Sequence, residues 1–246
     1  DMGCQPHQGA GYMPVNDPVW HKRYEEFYGV HLSDQIGWKI PQMYDAALAG
    51  KLKALWIVGE DVVQTDPNTE HVKKALNALE FLVVQELFMT PTAEFADVVL
   101  PASSFLEKSG TFTNGERRVQ RVNAAIPPLP GTKPDGQILV EIMNRMGCPQ
   151  PPYSGPGVLA EIAQIVPFFK GATWEGLTDQ GTQWPIQEGC VGTDILHVDA
   201  FKRGRGRFHF FPFQESREIE QHHGDYPFIL TTGRLLEHYN CGTMTR

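Results

Sequence analysis

Residues 55–121 constrain the fold of this chain more than any other stretch. They read LWIVGEDVVQTDPNTEHVKKALNALEFLVVQELFMTPTAEFADVVLPASSFLEKSGTFTNGERRVQR. Three short apolar runs, at 55–58, 81–84 and 97–100, each break off into a polar cluster. The clusters are Gly59-Glu60-Asp61, Gln85-Glu86 and Pro101-Ala102-Ser103-Ser104. Strands that alternate with helical patterns predict a parallel sheet wound in βαβ units, an α/β fold. Ligands of such sheets bind beyond the carboxyl ends of the strands, which is where these clusters fall. The pattern predicts a nucleotide-like ligand.

The flanking sequence supports that reading. Pro41 opens a helix over 42–49, where its missing N–H costs nothing, and Gly50 closes it. Asn68 or Thr69 caps a helix over 69–79 whose Val72, Ala75, Leu76 and Leu79 form one apolar face. The runs at 81–84 and 98–100 are continuously apolar, as suits strands covered on both faces. A short helix starts at Thr90-Pro91-Thr92, a strand is expected over 118–123, and helices over 136–146 and about 158–165. Residues 1–39 read as an irregular arm with a helix near 20–28. From about Gly189 the texture turns to β and loop, with strands expected over 207–213 and 228–232. A domain boundary near Ala200 follows, and the chain reads as cut from a longer one at both ends.

Charge and cysteine content narrow the function. The 29 acidic residues outnumber the 21 basic ones, a net charge of −8. This excludes a general nucleic-acid or acidic-membrane binder, which needs a basic excess. No apolar run approaches the roughly 20 residues that span a bilayer, and no signal peptide is visible. Cys4, Cys148, Cys190 and Cys241 are widely spaced, so they read as free thiols of a reducing compartment rather than a metal cluster. No His/Glu spacing suggests metal ligation.

Each polar motif has two readings from its residues alone. The carboxylates of Gly59-Glu60-Asp61, with Thr65 downstream, accept from a purine edge or ribose diol, or Asp61 caps a turn. No G-x-G-x-x-G occurs, which argues against an ordinary NAD site. Gln85-Glu86 must find partners, either a ligand or neighbouring helix N-termini. The Gly-flanked loop 110–118, with Arg117 and Arg118, clamps a phosphate or, preferably, pairs with carboxylates. The basic run 202–207 reads as a solvated turn. The dense set of hydroxyls, arginines and a histidine in 231–246 suits an anionic, hydrogen-bond-rich ligand.

Together, GED-x-x-Q-T, FLVVQE, TPTAEFADVVLPASS, E-K-x-GTFTN-x-ERRVQR and YPFILTTGR-x-x-EH-x-x-x-GTMTR resemble the molybdopterin oxidoreductases of the dimethyl sulfoxide reductase superfamily. Within it they are most similar to catalytic subunits of Mo- or W-dependent formate dehydrogenases, as is the opening DMGCQPHQGAGYMPV. The resemblance covers nearly the whole chain. It implies a Rossmann-like parallel sheet with flanking helices over 1–200, then the start of a C-terminal β-barrel domain over 201–246. It also implies a bis-molybdopterin guanine dinucleotide cofactor with Mo or W, and a 4Fe-4S cluster in an N-terminal part outside this chain.

Carried over by position, Gly59, Glu60, Asp61, Thr65, Gln85, Glu86, Thr90 and Asp97 belong to the nucleotide end of that cofactor. Arg234, Leu235, His238, Asn240 and Thr243 lie along the pterin and phosphates, Leu235 standing where some relatives place an acidic residue. The resemblance implies reversible oxidation of formate to CO2, with electrons leaving through the iron–sulfur cluster. Its implied partners are the rest of the same subunit and iron–sulfur, NAD, ferredoxin or hydrogenase components, in the cytoplasm or periplasm. No catalytic or metal-ligating residue is assigned within the chain, which alone is expected to be inactive. Two other readings stay open: a nitrate reductase or NADH dehydrogenase large subunit of the same superfamily, and a non-enzymatic guanine-nucleotide module.

Overall fold

Three parallel strands set the frame of the computed structural model, which describes residues 5–201, 204–214, 228, 230–231, 233 and 235–237. The chain's contacts divide it into Asp1–Asp194 and Ile195–Arg246. In the first unit, β1 (Ala54–Val58), β2 (Phe81–Glu86) and β3 (Val98–Pro101) pair in the order β1-β2-β3. The α/β class expected from the sequence is therefore found. Only the central strand is well covered: Leu82, Val84, Gln85 and Glu86 are buried, whereas the flanking strands keep Val58 and Val98 exposed. The apolar runs had suggested strands covered on both faces. In a sheet of three, two strands are edges, and edges stay partly open.

The helices begin and end for local reasons. Asp17 caps α1 (Pro18–Tyr28) through Oδ1, which accepts from Val19 N at 2.9 Å and Trp20 N at 3.1 Å. Gln42 reaches back to Lys39 N at 2.8 Å to start α2 (Ile40–Leu48). A short α3 (Val62–Thr65), not foreseen, follows the β1 turn. The apolar face of α4 (Thr69–Asn77) buries Val72, Ala75 and Leu76 against Ile57, Leu82 and Val84, with Leu79 packed beside them. This cluster is the main core. Then come α5 (Asp135–Arg145) and α6 (Gly155–Ile165), the latter capped by Ser154.

A second sheet contains the strand expected over 118–123 and corrects the start of the loop expected at 110–118. Here β4 (Gly110–Thr113) and β5 (Arg118–Val122) form an antiparallel hairpin, joined by a short β6 (Thr182–Gln183). Asn114 Oδ1 accepts from Glu116 N at 2.9 Å and Arg118 N at 3.0 Å, which closes the hairpin turn. Val119 carries the sheet into a second core with Leu159, Ala172, Leu177 and Ile186. The N-terminal arm is anchored rather than loose, because Tyr24 packs with Ile165 and Val166 and donates to Ala10 O at 2.7 Å. A Cβ on Gly9 would stand 2.8 Å from the Tyr24 ring, so only glycine allows this approach.

In the second unit, residues 207–213 are not the expected strand. They join no ladder, and Phe208, Phe210, Phe211 and Phe213 are all exposed. A strand requires a hydrogen-bonded neighbour, and no described residue of this unit supplies one. The strand expected over 228–232 includes residues 229 and 232, outside the described set.

Two outcomes follow. Leu82→Ala, at a site 1% exposed, is expected to cost about 3 kcal/mol, read as a lower urea midpoint. Chymotrypsin is expected to cut at Phe208–Phe213 before any site in the first unit, followed by mass spectrometry of the fragments.

Candidate functional site

The carboxyl edge of the parallel sheet collects buried polar groups. Among the described residues, the buried polar or charged side chains are Asp61, Gln85, Glu86, Thr92, Ser103 and Glu107. All lie at the carboxyl ends of β1, β2 and β3 or in the loops that follow. The register aligns them: Val58 stands beside Gln85, and Glu86 beside Pro101. Such groups cost free energy unless each finds a partner.

Most of the partners are visible. Gly59 turns the chain at the end of β1 with φ 63°, and its N–H donates to Gln85 O at 2.9 Å. Glu60 Oε1 accepts from Thr65 Oγ1 at 2.9 Å. Asp61 Oδ1 accepts from Thr92 N at 3.1 Å and Thr92 Oγ1 at 2.6 Å, and Gln64 Nε2 donates to Oδ2. Thr90 Oγ1 accepts from Ala93 N at 3.3 Å, at the head of the turn that carries Thr92. Gln85 Nε2 donates to Asp135 Oδ1 at 2.7 Å, and Lys108 Nζ pairs with Asp135 Oδ2.

The edge thus brings together Gly59, Glu60, Asp61, Thr65, Gln85, Glu86 and Thr90. Gln85 and Glu86 are the last residues of β2 rather than the first after it. Asp97 is not among them. Its Oδ2 accepts from Leu82 N at 2.6 Å, at the amino end of the sheet, so it clamps β3 to β2. Four residues of strand, about 13 Å, separate that end from the site edge. Arg234, His238, Asn240 and Thr243 lie outside the described residues, and Leu235 is exposed in the second unit.

Thr92, Lys108 and Asp135 were missed from sequence, and Ser103 was read only as a member of the polar cluster that follows the third strand. The signal for Asp135 was an acid in the first turn of a helix just after Pro134, a position that the helix dipole favours. Lys108 stood in the E-K-x-GTFTN run. The two arginines of the hairpin are placed otherwise than as a phosphate clamp. Arg117 stacks on Trp184 and donates to the carbonyls of Trp184, Thr193 and Asp194, while Arg118 pairs with Glu116 at 3.7 Å. A separate cavity of about 710 Å³, between the arm, the hairpin and α6, is lined by none of the expected site residues.

Acceptors dominate the edge. Burial pushes the Glu86 carboxyl above the usual carboxylate range; the Leu87 N–H at 2.6 Å opposes this, and Asp61, Asp135 and Glu60 add to it. Gln85 Oε1 and Ser103 Oγ are buried without a hydrogen-bond partner. An edge with unfilled acceptor capacity and several carboxylates suits a ligand that presents donors, such as a guanine edge with its N–H groups or a ribose diol. The residues present therefore fit a guanine nucleotide.

Fold and edge define the class: a parallel α/β domain with a cluster of buried polar groups at the carboxyl ends of its strands. The molybdopterin oxidoreductase family model matches residues 2–145, more than half of the chain, and the chain belongs to that family. Over its full length it is 42% identical to the F420-dependent formate dehydrogenase subunit alpha of Methanocaldococcus jannaschii, covering 37% of that protein. It is 40% identical, again over its full length, to a putative formate dehydrogenase of Staphylococcus haemolyticus, covering 25%. The chain therefore spans between a quarter and two fifths of these relatives. Among solved structures it resembles acetylene hydratase from Pelobacter acetylenicus, with a TM-score of 0.50 at 23% identity over 65% of this chain and 23% of that one. The family implies a molybdopterin cofactor, and no described helix is long and apolar enough to cross a membrane.

The raised Glu86 proton affinity has a testable sign. The folded state holds this proton more tightly than the unfolded state. Its contribution to stability is therefore full below the unfolded value of about 4.3 and is lost as pH rises through the raised folded value. Glu86→Gln removes the charge and keeps an oxygen for Leu87 N–H. It is expected to raise the melting temperature at pH 7 by about 2 °C and to give no gain near pH 4.

Proposed function

We propose that this chain is part of the catalytic subunit of a molybdopterin-dependent formate dehydrogenase. In this reading the carboxyl edge of its parallel sheet holds a guanine nucleotide end of a bis-molybdopterin guanine dinucleotide. The observation that carries the nucleotide assignment is the polar cluster at the strand ends, with Gln85 Oε1 buried and unpartnered, Gln85 Nε2 bonded to Asp135, and Asp61 buried after the neighbouring strand. Formate as substrate rests on the relatives at about 40% identity. When bound, the cofactor supplies the two-electron chemistry that interconverts formate and CO2.

The chain's own residues bind and orient. Asp61, Asp135 and Gln85 accept from the base, and Glu60 and Thr65 receive the ribose side. Lys108 balances the charge of Asp135 so that the cluster tolerates burial. Residues 1–200 form the nucleotide-binding portion, and 201–246 begin the C-terminal domain, where Arg234, His238, Asn240 and Thr243 meet the pterin. The metal, Mo or W, its protein ligand and a 4Fe-4S cluster belong to the rest of the subunit, which passes electrons to partner components.

Acid extraction of the full-length protein is expected to release GMP and no AMP, and the protein is expected to reduce a viologen dye with formate. Asp61→Ala is expected to lower cofactor occupancy while turnover per bound metal stays near wild type. A lost hydrogen bond to a charged group costs roughly 1.5–3 kcal/mol, and that loss falls on binding. Normal occupancy with greatly reduced turnover contradicts the assignment.

A further inference from the structure

We propose that Thr92 is a positioning residue of the nucleotide edge: it occupies one oxygen of the Asp61 carboxylate and leaves the other to meet the ligand. The inference rests on the guanine-nucleotide reading above and adds a residue that touches no ligand.

Thr92 is fully buried on the loop between β2 and β3, and Asp61 is 2% exposed on the loop after β1. Thr92 makes three bonds to this loop, two to Asp61, 31 residues away, and one to Val63, 29 residues away. Its N–H and its hydroxyl both donate to Asp61 Oδ1, at 3.1 and 2.6 Å, and its Oγ1 accepts from Val63 N at 3.0 Å. That last bond caps α3 from outside, since Asp61 makes no side-chain cap there.

A carboxylate oxygen offers about two lone-pair directions. Oδ1 has both filled, so the remaining capacity of Asp61 is on Oδ2. Gln64, which donates to Oδ2, is an exposed residue and can yield that position. The carboxylate is thereby held in one rotation before a ligand arrives, and preorganisation of this kind lowers the ordering cost of binding. A valine at 92 has the same shape and keeps the backbone N–H. It lacks both the O–H for Oδ1 and the oxygen for Val63 N, so the Asp61 carboxylate is held less firmly.

The test uses full-length protein made in a host that cannot synthesise the cofactor, with GDP as the probe in titration calorimetry. Thr92→Val is expected to weaken GDP binding by about tenfold, and Thr92→Ser to restore it. In an Asp61→Ala background, Thr92→Val is expected to have no further effect, because the group it positions is gone. If Thr92→Val does not fold, Thr92→Cys, with its weak S–H donor, takes its place in the same cycle. GDP binding by wild type with Thr92→Val within twofold of it overturns the role of Thr92 alone. A loss that persists undiminished in the Asp61→Ala background, alongside a lower melting temperature, makes Thr92 merely structural and overturns it too. No GDP binding by wild type sinks the nucleotide reading, and this inference with it.

Discussion

Strand β2 is paired on both sides, and its last two residues, Gln85 and Glu86, are buried side chains that need hydrogen-bond partners. This places a demand on everything around them. The parallel register puts the ends of β1 and β3 level with that pair, so the loops leaving all three strands converge there. Asp135 at the start of α5 answers Gln85, and Lys108 answers Asp135. Because Lys108 stands two residues before β4, the same chain of bonds ties the hairpin to the parallel sheet.

The electrostatic character of the edge follows from this crowding. The charges of Asp61, Asp135 and Glu60 act on Glu86, with Lys108 the cation paired to Asp135. Burial and these neighbours raise the proton affinity of Glu86. Asp61 is stabilised differently, through neutral donors from Thr92 and Gln64. Two carboxylates at the ends of neighbouring strands thus sit in two different environments, and the edge stays rich in acceptors. That is the property a donor-bearing base requires, and it is a poor environment for a bare phosphate.

Much of the fold was legible because its periodicities are local. The spacing of Val72, Ala75 and Leu76 on α4, the apolar runs of β1 to β3, and the Pro and Gly at helix ends depend on neighbours a few residues away. The hairpin 110–122 was less legible. Its second strand was expected, but the residues of β4 read as a loop because the hairpin leaves much of its surface open, and only Val119 is fully buried in it. The expected strand at 207–213 shows the converse: alternating phenylalanines carry strand propensity, yet propensity without a ladder partner makes no strand.

The sequence by itself determined the α/β class, the family, and that polar clusters follow the strands, since each depends on short motifs and their order. Tertiary structure decided which of those residues share a site. Parallel register joined Glu60, Asp61, Gln85 and Glu86, and it sent Asp97 to the opposite end, although all five are polar residues in or beside the same three strands. Long-range packing brought in Thr92, Lys108 and Asp135, whose partners lie 31, 27 and 50 residues away. A contact over such separations has no local signature, because it exists only once the sheet has closed and burial makes an unpaired polar group costly.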